Sequence, residues 1–271
     1  MVTALSTNRQ TATPRWNRSL VRISLDPRLL AALSILGLWW LGGALLSETV
    51  VPGPATVLAT MGDLIVSGDT WFQLWQTLKR IFMGFMLSVI VGMAIGMLMG
   101  GGRKLSDYVE VWLTVIITIP SLCWAIISLA WFGLRDSAAV FTIMSITVPL
   151  IAVNFGSGVR QIDMSVVEMA RVFQANRWLI VRRVVFPQLV PHALAAIRYG
   201  LPMSWKMAII AEMLGLPDGV GFMLTYWFHL LNMTEVFAWT LLFTCIMLFV
   251  EYLLLKPLER RLLRWRPAVA F

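Results

Sequence analysis

The sequence predicts an all-α polytopic membrane protein with six transmembrane helices. Three observations carry that expectation. Of 271 residues, 59% are apolar and 13% charged, where a soluble globular domain has about 45–50% and about 25%. So few charges cannot coat a water-facing surface. Charge-free runs recur near the length of about 20 residues that a helix needs to cross about 30 Å of hydrocarbon. Lysine and arginine gather in alternate connecting segments, which marks one side of a membrane. The spans use nearly the whole length, leaving no room for a soluble catalytic domain. Disordered, collagen-like and disulfide-scaffold classes are excluded as well.

The uncharged runs cover residues 29–47, 81–102, 111–134, 137–159 and 236–250. A sixth apolar stretch, 188–214, is interrupted by Arg198, Lys206 and Glu212. In lipid the backbone must be satisfied within its own segment, so the runs are read as helices. They are too continuous for the alternation of a barrel strand. The membrane region is expected over 28–258, between tails at 1–27 and 259–271. Arg9, Arg15, Arg18, Arg22 and Arg28 precede the first run, whereas 48–77 carries only Glu48, Asp63 and Asp69. Arg103 and Lys104, then Arg160, Arg171, Arg177, Arg182 and Arg183, then Lys256, Arg260, Arg261, Arg264 and Arg266, mark the basic side. The intervening segments hold Arg135 with Asp136, and Asp218 with Glu235. Both termini are therefore expected in the cytoplasm. The first run starts too late and is too long for a cleaved leader.

Gly92, Gly96 and Gly100 lie on one helical face and allow close backbone approach to another helix. Pro120 and Pro149 are expected to kink the third and fourth spans. Cys123 and Cys245 sit in apolar runs and read as small hydrophobes. His192 and His229 are isolated, and no His/Cys/Asp group has metal-ligand spacing.

The informative segment is 161–187, too basic and amphipathic to span. Ser165 followed by Glu168 fits a capping box, and Asn176 is a cap for a second helix from Arg177 to about Phe186. In that helix Leu179, Val184 and Phe186 are expected to face inward, with Arg177, Arg182 and Arg183 outward. Pro187 and Pro191 mark re-entry into the membrane.

Glu168-Met169-Ala170, Gln174 and Val184-Val185-Phe186-Pro187 resemble the EAA motif (E-A-A-x3-G-x9-I-x-L-P) of ABC importer permeases. Similarity continues through Val51-Pro52-Gly53-Pro54, Thr77-Leu78-Lys79-Arg80-Ile81, Trp131-Phe132-Gly133-Leu134, Ala211-Glu212-Met213-Leu214-Gly215, Gly219-Val220-Gly221 and Leu258-Glu259-Arg260-Arg261. Together these resemble the nitrate/sulfonate/taurine/bicarbonate branch. The motif's glycine is Gln174 here. A glycine would allow a left-handed turn, which costs another residue roughly 1–2 kcal/mol, so the turn is either built differently or strained.

The resemblance implies a MetI-like type I importer permease fold. It implies a homodimer with a second permease copy, two cytoplasmic ATP-binding subunits and an extracytoplasmic solute-binding protein, in the bacterial inner membrane. The cargo would be a small anion such as a sulfonate, taurine or nitrate. The ATPase-coupling residues would be Glu168, Met169, Ala170, Gln174, Arg177, Phe186 and Pro187. No G-x-x-x-x-G-K-[ST] occurs, so no cofactor is expected on this chain, and ATP and magnesium would be bound by the partner. The chain is expected to be a non-enzymatic subunit that meets lipid and no nucleic acid. An ATP-independent secondary transporter or channel is the alternative, but the paired, broken halves common there are not evident.

Ionisable groups within spans are costly and point to function. Lys206, with Ser204 and Trp205, is read as lining the pathway for an anion, or as ion-paired to another span. Arg80 is placed at the outer mouth, contributing to the pathway or reaching with Lys79 to the interface. Glu212 either shapes an outer gate or caps a helix end. Trp227, Phe228 and His229 are read as an interfacial anchor or a contact for the delivering protein.

Overall fold

The computed structural model describes residues 27–262; the tails 1–26 and 263–271, with Arg9, Arg15, Arg18, Arg22, Arg264 and Arg266, lie outside them. Among the described residues the only regular structure is helical, joined by short connections. The helices are α1 (Pro27–Leu45), α2 (Pro54–Val66), α3 (Gly68–Met99), α4 (Arg103–Thr118), α5 (Ser121–Phe132), α6 (Asp136–Arg160), α7 (Met164–Val172) and α8 (Arg177–Ile180). After a π turn at Val181–Val185 come α9 (Phe186–Gly215), α10 (Val220–His229), α11 (Met233–Phe249), a second π turn at Val250–Leu255 and α12 (Lys256–Leu262).

The expected span count is not reached by continuous helices. Among the described residues, four are long and apolar enough to cross a membrane: α3, α6, the rod Arg177–Gly215 and Met233–Leu253. A fifth span results if α4 and α5 count as one, but they meet at 89°. Pro120 thus breaks the third run rather than kinking it. The Trp124 indole N–H recovers a carbonyl near the break by donating to Ile116 O at 3.1 Å. Pro149 sits buried inside an uninterrupted α6. The first run forms α1, a shorter apolar helix held by a Trp39 N–H bond to the Pro52 carbonyl at 3.1 Å.

The centre is α6, packed between α3 and α9. Small residues set the spacing. A Cβ added at Gly84 would lie 2.8 Å from Ile143, one at Gly92 2.9 Å from Ile151, and one at Gly96 3.0 Å from the Ala152 carbonyl. Both residue numbers rise together, so α3 and α6 run parallel. The glycine face therefore serves packing within the chain. Against α9 the order reverses, with Gly200 beside Ile151 and Gly215 beside Leu134. Ile143, Ile151 and Phe155 from α6 join Ile81 and Phe85 of α3 and Ala208 of α9 in the main buried cluster.

Two segments differ from expectation. The 215–234 connection contains α10, whose Trp227 packs near Leu74, Val220 and Trp239, while Phe228 and His229 stay exposed. And α3 begins at Gly68, so Lys79 and Arg80 lie well inside a helix rather than at its start.

Candidate functional site

Two regions at opposite ends of α9 collect the residues singled out by sequence. At its C-terminal end the Arg80 guanidinium is surrounded by acids. Nε donates to Asp136 Oδ1 at 2.7 Å, and Nη1 donates to Glu212 Oε1 at 2.9 Å and to the Asp218 carbonyl at 2.8 Å. Nη2 pairs with the Asp218 carboxylate, and Lys79 Nζ lies 2.6 Å from Asp136 Oδ2.

The second oxygen of Glu212 accepts from the Thr77 hydroxyl and the Gly221 N–H, each at 2.9 Å. The Gly219 N–H donates to Gln73 Oε1 at 2.7 Å, and the Val220 N–H to the Thr77 oxygen at 2.8 Å. Three successive backbone N–H groups thus meet three side chains from α3 and α9. Glycine is required by the geometry. Gly219 has φ +109°, and a Cβ there would collide with the Glu212 carboxylate; one at Gly221 would lie 2.5 Å from Ile209 O. With two basic and three acidic side chains the cluster has an excess of one acid. Arg80 and Glu212 are 2% and 1% exposed. Removing one partner of such a pair costs about 3–5 kcal/mol, because the other charge is left buried and uncompensated.

This corrects the placement of Arg80. It neither lines an open mouth nor reaches an interface, since its guanidinium is enclosed by Asp136, Glu212 and Asp218. Nor does Glu212 line an open path; its carboxylate faces α3 and the first turn of α10. Ser204 is also sealed, donating to the Gly200 carbonyl at 3.0 Å and lying 3.3 Å from the Thr147 hydroxyl. Of the expected pathway group, Lys206 is exposed and Trp205 partly so. Lys206 makes no ion pair among the described residues. Sequence reading missed Gln73, Thr77, Asp136, Asp218, Gly219 and Gly221 as partners of this cluster. The usable signal was that a helix-buried Arg80 demands acids, and Asp136 and Asp218 are among the acids of the segments on the same side.

At the N-terminal end of α9 lies an elbow made by α7 and α8. Its cap differs from expectation. The Ser165–Glu168 box does not form, because Asp163 caps α7: its Oδ1 accepts from Ser165 N–H at 2.9 Å and from Ser165 Oγ at 2.6 Å. The Ser165 hydroxyl, followed by its N–H, holds the Asp163 carboxyl below the usual aspartate range. Glu168 is exposed. Asn176 caps α8 through a Trp178 N–H bond at 3.3 Å.

Between the helices Gln174 adopts φ +55°. The Ala175 N–H donates to Ala170 O at 3.0 Å and the Gln174 N–H to Arg171 O at 2.9 Å, closing α7 with the left-handed cap that glycine usually makes. The turn keeps the geometry glycine would give and carries the strain. Inside, Val167 and Ile180 are buried, not Leu179 and Phe186, which are 48% and 63% exposed. The reason is that α8 continues through the π turn into α9 rather than ending at Pro187. A cavity of about 860 Å³ opens between α7 and α8, bordered by Val167, Arg171, Gln174, Arg177 and Ile180. Met169, Val172, Phe173 and Trp178 project outward at 55–81% exposure. Ala170 and Pro187 are half-buried and Arg177 exposed.

Residues 88–264 match the family described as binding-protein-dependent transport system inner membrane component. The chain belongs to this family. The aliphatic sulfonates transport permease protein SsuC of Bacillus subtilis is 29% identical over 240 residues, covering 88% of this chain and 87% of that protein. The nitrate import permease protein NrtB of Leptolyngbya laminosa is 30% identical over 205 residues, 72% and 73% of the two chains. Among solved structures, an inward-facing MetNI methionine ABC transporter superposes with TM-score 0.62 at 18% identity, over 72% of this chain and 99% of that one. That likeness establishes the MetI-type fold alone. The permease is accordingly an integral, multi-pass inner-membrane protein and a transport subunit of an ABC importer.

Proposed function

We propose that the permease forms, with a second permease subunit, the path for a small oxyanion, a sulfonate or nitrate. The solute is delivered by an extracytoplasmic binding protein and driven by two separate ATPase subunits that bind ATP and magnesium. A pair of identical copies is the simplest assembly. The observation that carries this reading is the α7–α8 elbow. It offers an apolar, largely unpartnered surface of Met169, Val172, Phe173 and Trp178, ringed by Arg171, Arg177, Arg182 and Arg183, and it runs into the span bearing Lys206. Such a surface on an otherwise lipid-embedded chain fits a protein partner. Glu168, Met169, Ala170, Gln174, Arg177, Phe186 and Pro187 belong to that contact and its base. Both termini then lie in the cytoplasm, on the elbow's side.

Lys206 supplies positive potential for an anion on the exposed face of α9, where an unpaired ammonium toward lipid would be costly. The sulfonate and nitrate permeases among the relatives favour an oxyanion. The test is co-purification with a Walker-motif ATPase, followed by uptake of taurine, an alkanesulfonate and nitrate in vesicles. Phe173→Ala with Trp178→Ala is expected to release the ATPase while leaving the permease folded. A complex that survives both changes overturns the docking role.

A further inference from the structure

We infer that Arg80 is a positioning residue whose cluster stays closed throughout transport, fixing the rotation of α9 so that Lys206 keeps its exposed face. The inference rests on the permease reading. It departs from the usual expectation that a charged group near the mouth of a path contacts cargo or opens as a gate.

The geometry supplies three reasons. The first is enclosure. Arg80 donates to Asp136, Glu212 and Asp218 together, from the start of α6, the end of α9 and the turn into α10. An anion entering would have to displace a carboxylate from each direction, and the cluster already carries an excess of acid. The second is the backbone lining. The N–H groups of Gly219, Val220 and Gly221 are all bonded to side chains of Gln73, Thr77 and Glu212. Opening the turn would strand three donors and two buried charges at once. The third is angle. Glu212 follows Lys206 by six residues, about 600° at 3.6 residues per turn, so the two side chains point roughly 120° apart. Holding Glu212 inward against α3 leaves Lys206 on a face that α3 and α6 do not cover.

The experiment is hydrogen–deuterium exchange on the full complex, nucleotide-free and trapped with Mg-ATP and vanadate. Residues 216–223 are expected to exchange within about twofold of each other in the two states, slowly for a turn. In Arg80→Met this peptide should speed up at least tenfold while 186–200 does not. Exchange that rises tenfold on trapping wild type overturns the inference and marks the cluster as a gate. A second arm separates positioning from cargo contact. Arg80→Lys keeps a cation against Glu212, and should retain more of the ATPase activity in the complex than Arg80→Met does, with the KM for taurine, an alkanesulfonate or nitrate, whichever is taken up, unchanged. A KM raised tenfold or more with Vmax retained identifies Arg80 as a solute contact and sinks the inference. Loss of ATPase binding, seen as failed co-purification by wild type, would instead defeat the docking proposal and leave the comparison of wild type with Arg80→Met at 216–223 readable on the permease itself.

Discussion

The two ends of α9 are built on opposite principles. At the Glu212 end the Arg80 guanidinium and both Glu212 carboxylate oxygens find their partners within the chain, and these two side chains are shut away from solvent. At the elbow the fixed contacts are few: two caps, one Asp163 N–H bond to Gln188 at 2.8 Å, and a strained turn. Large apolar side chains there face outward. The first arrangement resists change. The second leaves its surface to be completed from outside. A charge within a span therefore signals a structural bond as readily as a pathway, and the deciding fact is whether its partners come from the same chain.

The contrast is broken most directly at its strongest point. Arg80→Met is expected to cost about 3–5 kcal/mol, read as a large drop in the fraction that stays monodisperse after heating in detergent. A loss below 1 kcal/mol would show that water already reaches the cluster. Gly219→Ala should cost about 1–3 kcal/mol, since its backbone region is open only to glycine and the new methyl meets Glu212. The same heating assay measures it.

A substitution remote from both ends sharpens the comparison. Gly92→Leu drives a side chain into Ile151, and overpacking of this kind costs about 1–3 kcal/mol. The loss should appear in stability without selective faster exchange at 216–223.

At the elbow the sign reverses. Gln174→Gly relieves roughly 1–2 kcal/mol of left-handed strain but loosens the unfolded chain by about 0.5–1 kcal/mol. A net gain of about 0.5–1 kcal/mol is expected, detected as slower exchange of 168–178. The smallest effect concerns Asp163. Its carboxyl is held low in the folded state, so its contribution is present above the unfolded aspartate pKa of about 3.9. It is lost as pH falls through the lower folded value. Below that point the α7 amides should exchange faster once corrected for intrinsic rate, and Asp163→Ala should show the faster rate already at neutral pH.

Much of this was legible in the residues. Apolar run length located α3, α6 and α9, because burial in lipid leaves so little choice. Gly92, Gly96 and Gly100 announced a close helix contact, and Asn176 announced its cap. The glycine-like turn at Gln174 was visible as a conflict between motif and residue, which the backbone resolves in the motif's favour. What escaped depended on distant partners. The start of α3 was set too late because Lys79 and Arg80 look like the edge of a span. Their neutralising acids come from positions 136, 212 and 218, beyond any local period. Ser165 lost the cap to Asp163, whose ionised oxygen is the better acceptor two residues earlier. A separate short helix would turn Leu179 and Phe186 inward. Its fusion to α9 through a wider turn shifts the buried side to Ile180.

That wider turn has a consequence for how the permease tolerates change. From Trp178 to Glu212 the chain runs 35 residues without a loop, about 50 Å at the usual helical rise. A single-residue insertion in such a shaft swings everything beyond it by about 100°, and with Glu212 clamped, the far tip cannot follow. The slack has to be taken up at Val181–Val185, where one surplus backbone unit is already accommodated. An indel between Gln188 and Met213 should therefore be ruinous.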